Sequence, residues 1–475
     1  MHRMTGYDAV FLYDERPDEP QHTLKVAVWS REASAAYRLE DTRSFLRARL
    51  GELPPLRWRA LRVPFDLYHP VWLEDRDLDL THHVRCRALP LPGGRAELCD
   101  EISNIASVPL DPERPLWELW MLEGYEGDKV VAVLKMSHAL ADGAASRRLV
   151  ETLYADAPFD PDTLTRDGTQ TWCGEGESPP SRWTLLKDAA RDRLHAATRE
   201  LPRLSRSAHR TRRALRRRPS VPLYSGRRIS ILASPPTPFA GRPGRQRRFH
   251  FTTVSLEAVR DIRNCVGCTV TDVILATAAG GVRRYLEERR ALPGLPTLAH
   301  MPASIRSEAE QGEWGNRVTR RPLSLPTHIA DPIARLRAAS EIVREAKEDL
   351  QRRRGSDVED WLRWLPPYAV KGVGRLARAF VRMRPEFPGG ITVSSVPGPP
   401  DTLYAPGGPV ENFISVGHVK YVASLNVTVW SYAGKLNFGL YSCARAVPDL
   451  DRLSDMIAAS FEELRKAAAR EATRL

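Results

Sequence analysis

The chain has 475 residues, a formal net charge of +12 and 42% hydrophobic residues, enough apolar material for a large core and enough length for two domains. Charged segments recur throughout, no stretch has the unbroken apolarity of a membrane span, and the opening "MHRMTGYDAVFLYDE" lacks the pattern of a secretory leader, so a cytoplasmic protein is expected. The six cysteines, Cys86, Cys99, Cys173, Cys265, Cys268 and Cys443, are scattered through a chain too large to need disulfide staples, and reduced thiols are expected.

In chain order, "HTLKVAVW" at 22–29 reads as a strand, with a helix following around 36–50. "KVVAVLKMSHAL" is the next clear strand, and after Gly143 the rhythm becomes helical, with Ala145, Leu149 and Leu153 on one face. From "APFDPDTLTRDG" through "CGEGESPPS" the chain is polar and rich in turn formers, and "RLSRSAHRTRRALRRRPS" at 203–220 is its densest basic run. Lacking interleaved aromatics, that run reads as a solvated helix or linker rather than a specific surface, and no nucleic-acid partner is expected.

A strand turning into a helix is predicted over 245–262, and "TDVILATAAGGVRRYLEERR" is a strong helix candidate, with Val270, Ile274, Ala278 and Val282 in register. Thr269 and Asp272 suit a capping arrangement at its start. "CVGC" at 265–268 has the spacing of a zinc or redox pair, but with no second thiol pair nearby a packed approach to the helix is favoured, and no metal is expected. "ASLNVTVWSYAGKLNFGLYS" reads as two strands around Ala433 and Gly434, and 450–470 returns to helix. The mixture predicts an α/β fold with an N-terminal domain over 1–200, a basic and proline-rich crossover over 201–244, and a C-terminal domain over 245–475.

The chemistry centres on "KMSHALADG", 135–143. His138, at the mouth of a strand, is either a general base or a polar strand end with a satisfied hydrogen bond. Asp142 suits the cap of the next helix, and Gly143 lets the backbone turn tightly. Around this motif stand "DAVFLYDE" near the start, "PERPLWELWMLEG" at 112–124, "MPASIR" at 301–306, "GNRVTR" at 315–320, "VSSVPGPPDTLYAPGG" at 393–408 and "SLNVTVWSYAGKLNFGL" at 424–440. With these segments in this order, covering nearly the whole chain, the sequence resembles the bacterial wax ester synthase/diacylglycerol acyltransferase family, within the coenzyme A-dependent acyltransferase superfamily.

The resemblance implies two coenzyme A-dependent acyltransferase-like α/β domains with a substrate channel between them. It implies long-chain acyl-coenzyme A as donor substrate, a fatty alcohol or diacylglycerol as acceptor, no tightly bound cofactor, and His138 as the base, with Asp142 and Gly143 in structural positions. The family's His-His-x-x-x-Asp-Gly pattern has Ser137 for its first histidine; its Asn-Asp motif becomes Thr271 with Asp272 retained; its Thr-Pro-Leu-Asn becomes Thr237-Pro238-Phe239-Ala240. These departures keep open a specialised alcohol or amine acceptor, beside a noncatalytic lipid-binding protein. Ser137, Thr271, Asp272, Ser394 and Asn426 are candidate polar groups of the site. Arg306 either braces an acidic group or organises the channel. The segment 361–383, aromatic and basic, suits a channel cover or a lipid interface as well as kinked core helices, so reversible contact with an anionic membrane or a lipid inclusion is expected.

Overall fold

The computed structural model describes residues 1–30, 38–158, 176–195, 220–222, 228–231, 234–240, 244–310, 312–352, 362, 365–383 and 389–473. Most of the basic run at 203–220 lies outside them. Two six-stranded sheets organise the chain. The first has the order Tyr404–Ala405, Gly408–Val416, His22–Ser30, Lys129–Ser137, Trp117–Tyr125, Val84–Ala88. The second has the order Arg247–Ser255, Lys435–Cys443, Leu425–Tyr432, Ile391–Val396, Thr297–Ser304, Val318–Leu325.

In the first sheet, His22–Ser30 is apolar on both faces because both are covered. Leu24, Val26 and Val28 join a core with Leu98, Ile102 and Ile105 of the helix Arg95–Ser107, while Ala27 and Trp29 face a second core with Ala145 and Leu149 of the helix Gly143–Leu153. In the second sheet, Val393, Leu425 and Val427 pack on the helices Val270–Glu288, Pro332–Arg352 and Leu450–Ala472 through Ile274, Leu336 and Ile457.

The predicted boundary at 245 does not describe sheet membership. Gly408–Val416, from the second half, pairs antiparallel with His22–Ser30, setting Val416 opposite Leu24 and Phe413 opposite Ala27. His22–Ser30 pairs on its other side with Lys129–Ser137, so the crossing strand satisfies an edge of backbone donors and acceptors that would otherwise be open. In return, the helix Arg95–Ser107 reaches the second sheet, where the backbone N–H groups of Phe249 and Arg247 donate to the hydroxyls of Ser103 and Ser107, each at 2.9 Å. The halves are stitched together twice.

Local signals fall where the sequence puts them. The hairpin turns at Ala433 and Gly434, both with positive φ, and Thr269 and Asp272 form the expected reciprocal cap. Gly267, in the left-handed region at φ 71°, ends the helix Leu256–Val266 between Cys265 and Cys268, which are free thiols; helix termination accounts for this spacing. Among the described residues no single helix is long and apolar enough to cross a membrane.

Candidate active site

The strand Lys129–Ser137 stops one residue before His138, whose backbone N–H donates to the Gln21 carbonyl at 2.8 Å. After a short turn, Asp142 starts the next helix: its Oδ1 accepts from the Ala145 N–H at 2.9 Å. Its other oxygen accepts from Arg306 Nη2 at 3.0 Å and from the Arg317 N–H at 2.8 Å. Asp142 is 1% and Arg306 6% exposed at the side chain, and the guanidinium also donates to the carbonyls of Glu313 and Gly315, at 2.9 and 2.8 Å. This buried pair fixes the loop to the second half of the chain. Gly315, at φ 85°, makes the required turn, and a Cβ there would lie 3.2 Å from Asp8 Oδ2.

Asn316 sets the imidazole. Its Nδ2 donates to Asp8 Oδ1 and to the His138 carbonyl, both at 2.7 Å, and its Oδ1 lies 3.0 Å from His138 Nδ1. With the amide nitrogen facing two acceptors, the oxygen is the atom turned to the ring, and an oxygen that only accepts requires the proton on Nδ1. Nε2 is then the unprotonated nitrogen. The Phe11 ring stacks on His138 at 4.4 Å and 11°. Burial pushes the imidazole down to about 4; the Lys25 cation pushes the same way, against the Asp142 carboxylate and the hydrogen bond to Asn316. Burial also raises Asp8 to about 6, against its bonds with Thr5 and Asn316.

His138 opens on a cavity of about 590 Å³ between the two sheets. Its lining mixes apolar side chains, Tyr7, Val10 and Phe11 from the helix Gly6–Asp14 and Val396, with the polar His418, Lys420, Arg320, Thr392 and Thr428. Arg320 Nη2 donates to Thr392 Oγ1 at 3.1 Å, and the Lys420 ammonium reaches Asp14 Oδ2 at 3.4 Å. Such a mixed lining suits a ligand that carries both an aliphatic chain and a polar, partly anionic group.

Of the predicted site residues, Asp142, Gly143, Ser394 and Asn426 line this cavity with His138. Arg306 stands behind Asp142, in the bracing position. Ser137 is buried beneath the loop, its Oγ accepting from the Ala139 N–H at 3.3 Å. Thr271 and Asp272 lie elsewhere, at the start of the helix Val270–Glu288, where Asp272 bonds Thr269 and Ser340. Phe239 is a core residue stacked on Tyr285. None of the departures at Ser137, Thr271 and Ala240 lines the cavity. The sequence assigned no role to Asn316, Asp8 or His418; the first two fall inside "GNRVTR" and "DAVFLYDE", two of the segments that carry the family resemblance.

Fold and site define a class: two mixed α/β lobes that share strands, with an HxxxDG loop opening on the cavity between them. A model of the wax ester synthase/diacylglycerol acyltransferase catalytic domain matches residues 4–274, and one of the WS/DGAT C-terminal domain matches residues 314–465. The chain belongs to the wax ester synthase/diacylglycerol acyltransferase family, a class of acyl-coenzyme A-dependent O-acyltransferases. It is similar to a putative diacylglycerol O-acyltransferase of Mycobacterium tuberculosis strain H37Rv, at 34% identity over 100% of this chain and 99% of that one. Among solved structures it is similar to the wax ester synthase/diacylglycerol acyltransferase of Marinobacter aquaeolei VT8, with a TM-score of 0.66, 25% identity and coverage of 98% and 100%. It shares its fold with the first condensation domain of the calcium-dependent antibiotic synthetase, with a TM-score of 0.57, 15% identity and coverage of 99% and 97%.

Proposed function

We propose that the protein transfers an acyl group directly from long-chain acyl-coenzyme A to the hydroxyl of a fatty alcohol or diacylglycerol, with His138 as general base. The observation that supports this is the Asp8–Asn316–His138 chain, whose hydrogen-bond pattern favours a proton on Nδ1 and a free Nε2 for the role of base. The acceptor O–H gives its proton to Nε2 while its oxygen bonds to the thioester carbon. The tetrahedral centre then collapses with breakage of the C–S bond, and the departing thiolate takes the proton back. Asp142 contributes position rather than chemistry, since both its oxygens are occupied by donors. With the three sequence departures off the cavity wall, a fatty alcohol or diacylglycerol is favoured over an amine. Purified protein supplied with hexadecanoyl-coenzyme A and either hexadecanol or a diacylglycerol is expected to release free coenzyme A with matching ester. Binding of both substrates without ester from any hydroxyl acceptor would leave only a lipid-binding role.

The helix Pro367–Arg382 supports reversible attachment to an anionic lipid surface. Only Pro367 is buried in it. At 100° per residue, Lys371, Arg375, Arg378 and Arg382 share one side and Val373, Leu376, Phe380 and Met383 the other. The basic side faces the protein in part: Lys371 pairs with Asp66, and Arg378 with Asp14 at 3.0 Å. The apolar side is turned out at Val373, Leu376 and Met383, with Leu376 72% exposed. An apolar stripe with basic flanks fits the headgroup boundary of an anionic bilayer or lipid inclusion. Flotation with phosphatidylglycerol vesicles is expected to carry the protein upward at low salt and less so at high salt; no flotation at low salt would remove the attachment and leave the transfer reading intact.

A further inference from the structure

The second sheet has two unlike faces. Val393, Leu425 and Val427 pack on helices, whereas the alternate positions Thr392, Ser394, Asn426 and Thr428 line the cavity, with Arg320 beside them. A purely aliphatic ligand gives such a face nothing to bond. Arg320 in particular is a charge that the transfer described above does not use.

Arginines buried elsewhere in the chain are fully committed. Arg306 donates to the carbonyls of Glu310, Glu313 and Gly315 and pairs with Asp142; Arg335 donates to those of Ala276, Ile329 and Ala330 and pairs with Glu463. Arg320, partly buried, makes one hydrogen bond among the described residues, from Nη2 to the neutral hydroxyl of Thr392 at 3.1 Å, and no ion pair. Its Nε and Nη1 have no partner there, yet neither is shut away from solvent. Of the acids whose charge reaches it, Asp14 is already shared by Arg378 at 3.0 Å and Lys420 at 3.4 Å, and Glu19 accepts from the Tyr421 N–H at 3.1 Å. One carboxylate thus faces two other cations, and Arg320 has no counter-charge of its own. A guanidinium stays charged and carries five N–H donors, and withdrawing it from water without a counter-ion is costly.

A hydroxyl and a second cation stand nearby. Ser394, two residues beyond Thr392 on the same strand and face, has no hydrogen-bond partner among the described residues, and its Oγ is open. Thr392 lies opposite Asn426, whose amide donates at 3.3 Å to the carbonyl of His418, two residues before Lys420. The Lys420 ammonium lies 5.5 Å from the centre of the Phe11 ring, itself 4.4 Å from that of His138, which puts this cationic end within about 10 Å of the imidazole.

Resting on the acyl-transfer reading, we infer that Arg320, with the hydroxyls of Thr392 and Ser394, forms an anion subsite for the acceptor, so that the protein selects hydroxyl lipids bearing a carboxylate or phosphate close to the reacting hydroxyl. A 3-hydroxy acid and a monoacylglycerol phosphate have this form. Coenzyme A carries its phosphates beyond the whole pantetheine arm from the thioester, which favours the acceptor as the source of the anion.

The test is kcat/KM with hexadecanoyl-coenzyme A for two pairs of acceptors, 3-hydroxyhexadecanoate against its methyl ester and 1-hexadecanoylglycerol 3-phosphate against 1-hexadecanoylglycerol. Wild type is expected to prefer the anionic member of at least one pair by about 10- to 100-fold, the worth of a charge-assisted bond. In Arg320→Met, folded by circular dichroism, that ratio is expected to fall to within about threefold of unity. Arg320→Lys, which keeps the charge without the planar fork, is expected to hold it at least about threefold above the Met variant. Should Arg320→Met not fold, Arg320→Gln takes its place. Wild-type ratios below about threefold in both pairs, or a ratio unchanged in the folded variant, would overturn the inference. So would a loss in Arg320→Met seen with hexadecanoyl-coenzyme A but not with phosphate-free hexadecanoyl-pantetheine, which would put the anion on the donor. No ester from any acceptor, hexadecanol included, or an active His138→Ala would instead remove the transfer reading itself.

Discussion

The loop at His138 and the helix Pro367–Arg382 are built in opposite ways. In the loop, polar groups are turned inward and matched: Asp142 with Arg306 and the Arg317 amide, His138 with Asn316, Asn316 with Asp8. In the helix, Lys371 and Arg378 are turned toward acidic partners on the protein, and Val373, Leu376 and Met383 toward solvent. A group removed from the loop leaves a partner stranded in a low-dielectric interior. Val373, Leu376 and Met383 on the outer face of the helix are exposed, so what they support lies outside the molecule.

Substitutions can set the two regions against each other. His138→Ala should have the largest effect on turnover, a loss of about 100- to 10,000-fold in kcat for hexadecanol acylation with the fold retained, since alanine has no atom to take the hydroxyl proton. Asp142→Ala should break stability instead. It leaves Arg306 as an uncompensated buried cation, and urea denaturation should show a loss of about 3–5 kcal/mol. If the variant kept full stability, the matched loop would not be what holds the halves together. Paired changes on the helix, Val373→Glu with Leu376→Glu, both more than half exposed, should leave stability within about 0.5 kcal/mol while cutting vesicle binding at least about tenfold, because two apolar side chains no longer enter the headgroup boundary. Equal vesicle binding by variant and wild type would place lipid contact on another surface.

The same contrast governs what the sequence discloses. Helix and strand positions were readable because their causes are local: the apolar alternation of "HTLKVAVW", the cap of Thr269 and Asp272, the turn at Ala433 and Gly434. The crossing of Gly408–Val416 into the first sheet was not, since edge pairing between distant segments leaves no periodicity. The outward apolar face is written in the spacing of 368–383, yet spacing alone does not say which side faces the core; the ion pairs to Asp14 and Asp66 decide it. At the site, His138 and Asp142 stood in one short motif, whereas Asn316 and Arg306 lie 178 and 164 residues from their partners. The segments "GNRVTR" and "MPASIR", which carry the resemblance, contain them without disclosing that they meet their partners. His418 had no signal beyond being a histidine after a glycine, and Thr271, proposed for the site from resemblance, starts a helix away from the cavity wall.

The most direct test of a neutral, Asn316-held His138 as the base is the pH dependence of kcat/KM for hexadecanol acylation. An ordinary histidine titrates near 6.5, and burial lowers this one to about 4. The base is present above its pKa and lost by protonation below it, so activity should fall away as pH approaches about 4, after at most a few-fold dip near 6, where Asp8 gains its proton and becomes a weaker acceptor for Asn316. Between 6.5 and about 4 the unfolded chain takes up a proton that the folded chain resists, so this histidine's contribution to stability declines over the same interval as pH falls; the rates are therefore corrected for the folded fraction measured by circular dichroism. An acid limb near 4, absent from the residual activity of His138→Ala, is the expected result. Complete loss of activity already near 6.5 in wild type, or an acid limb near 4 that persists unchanged in His138→Ala, would contradict it.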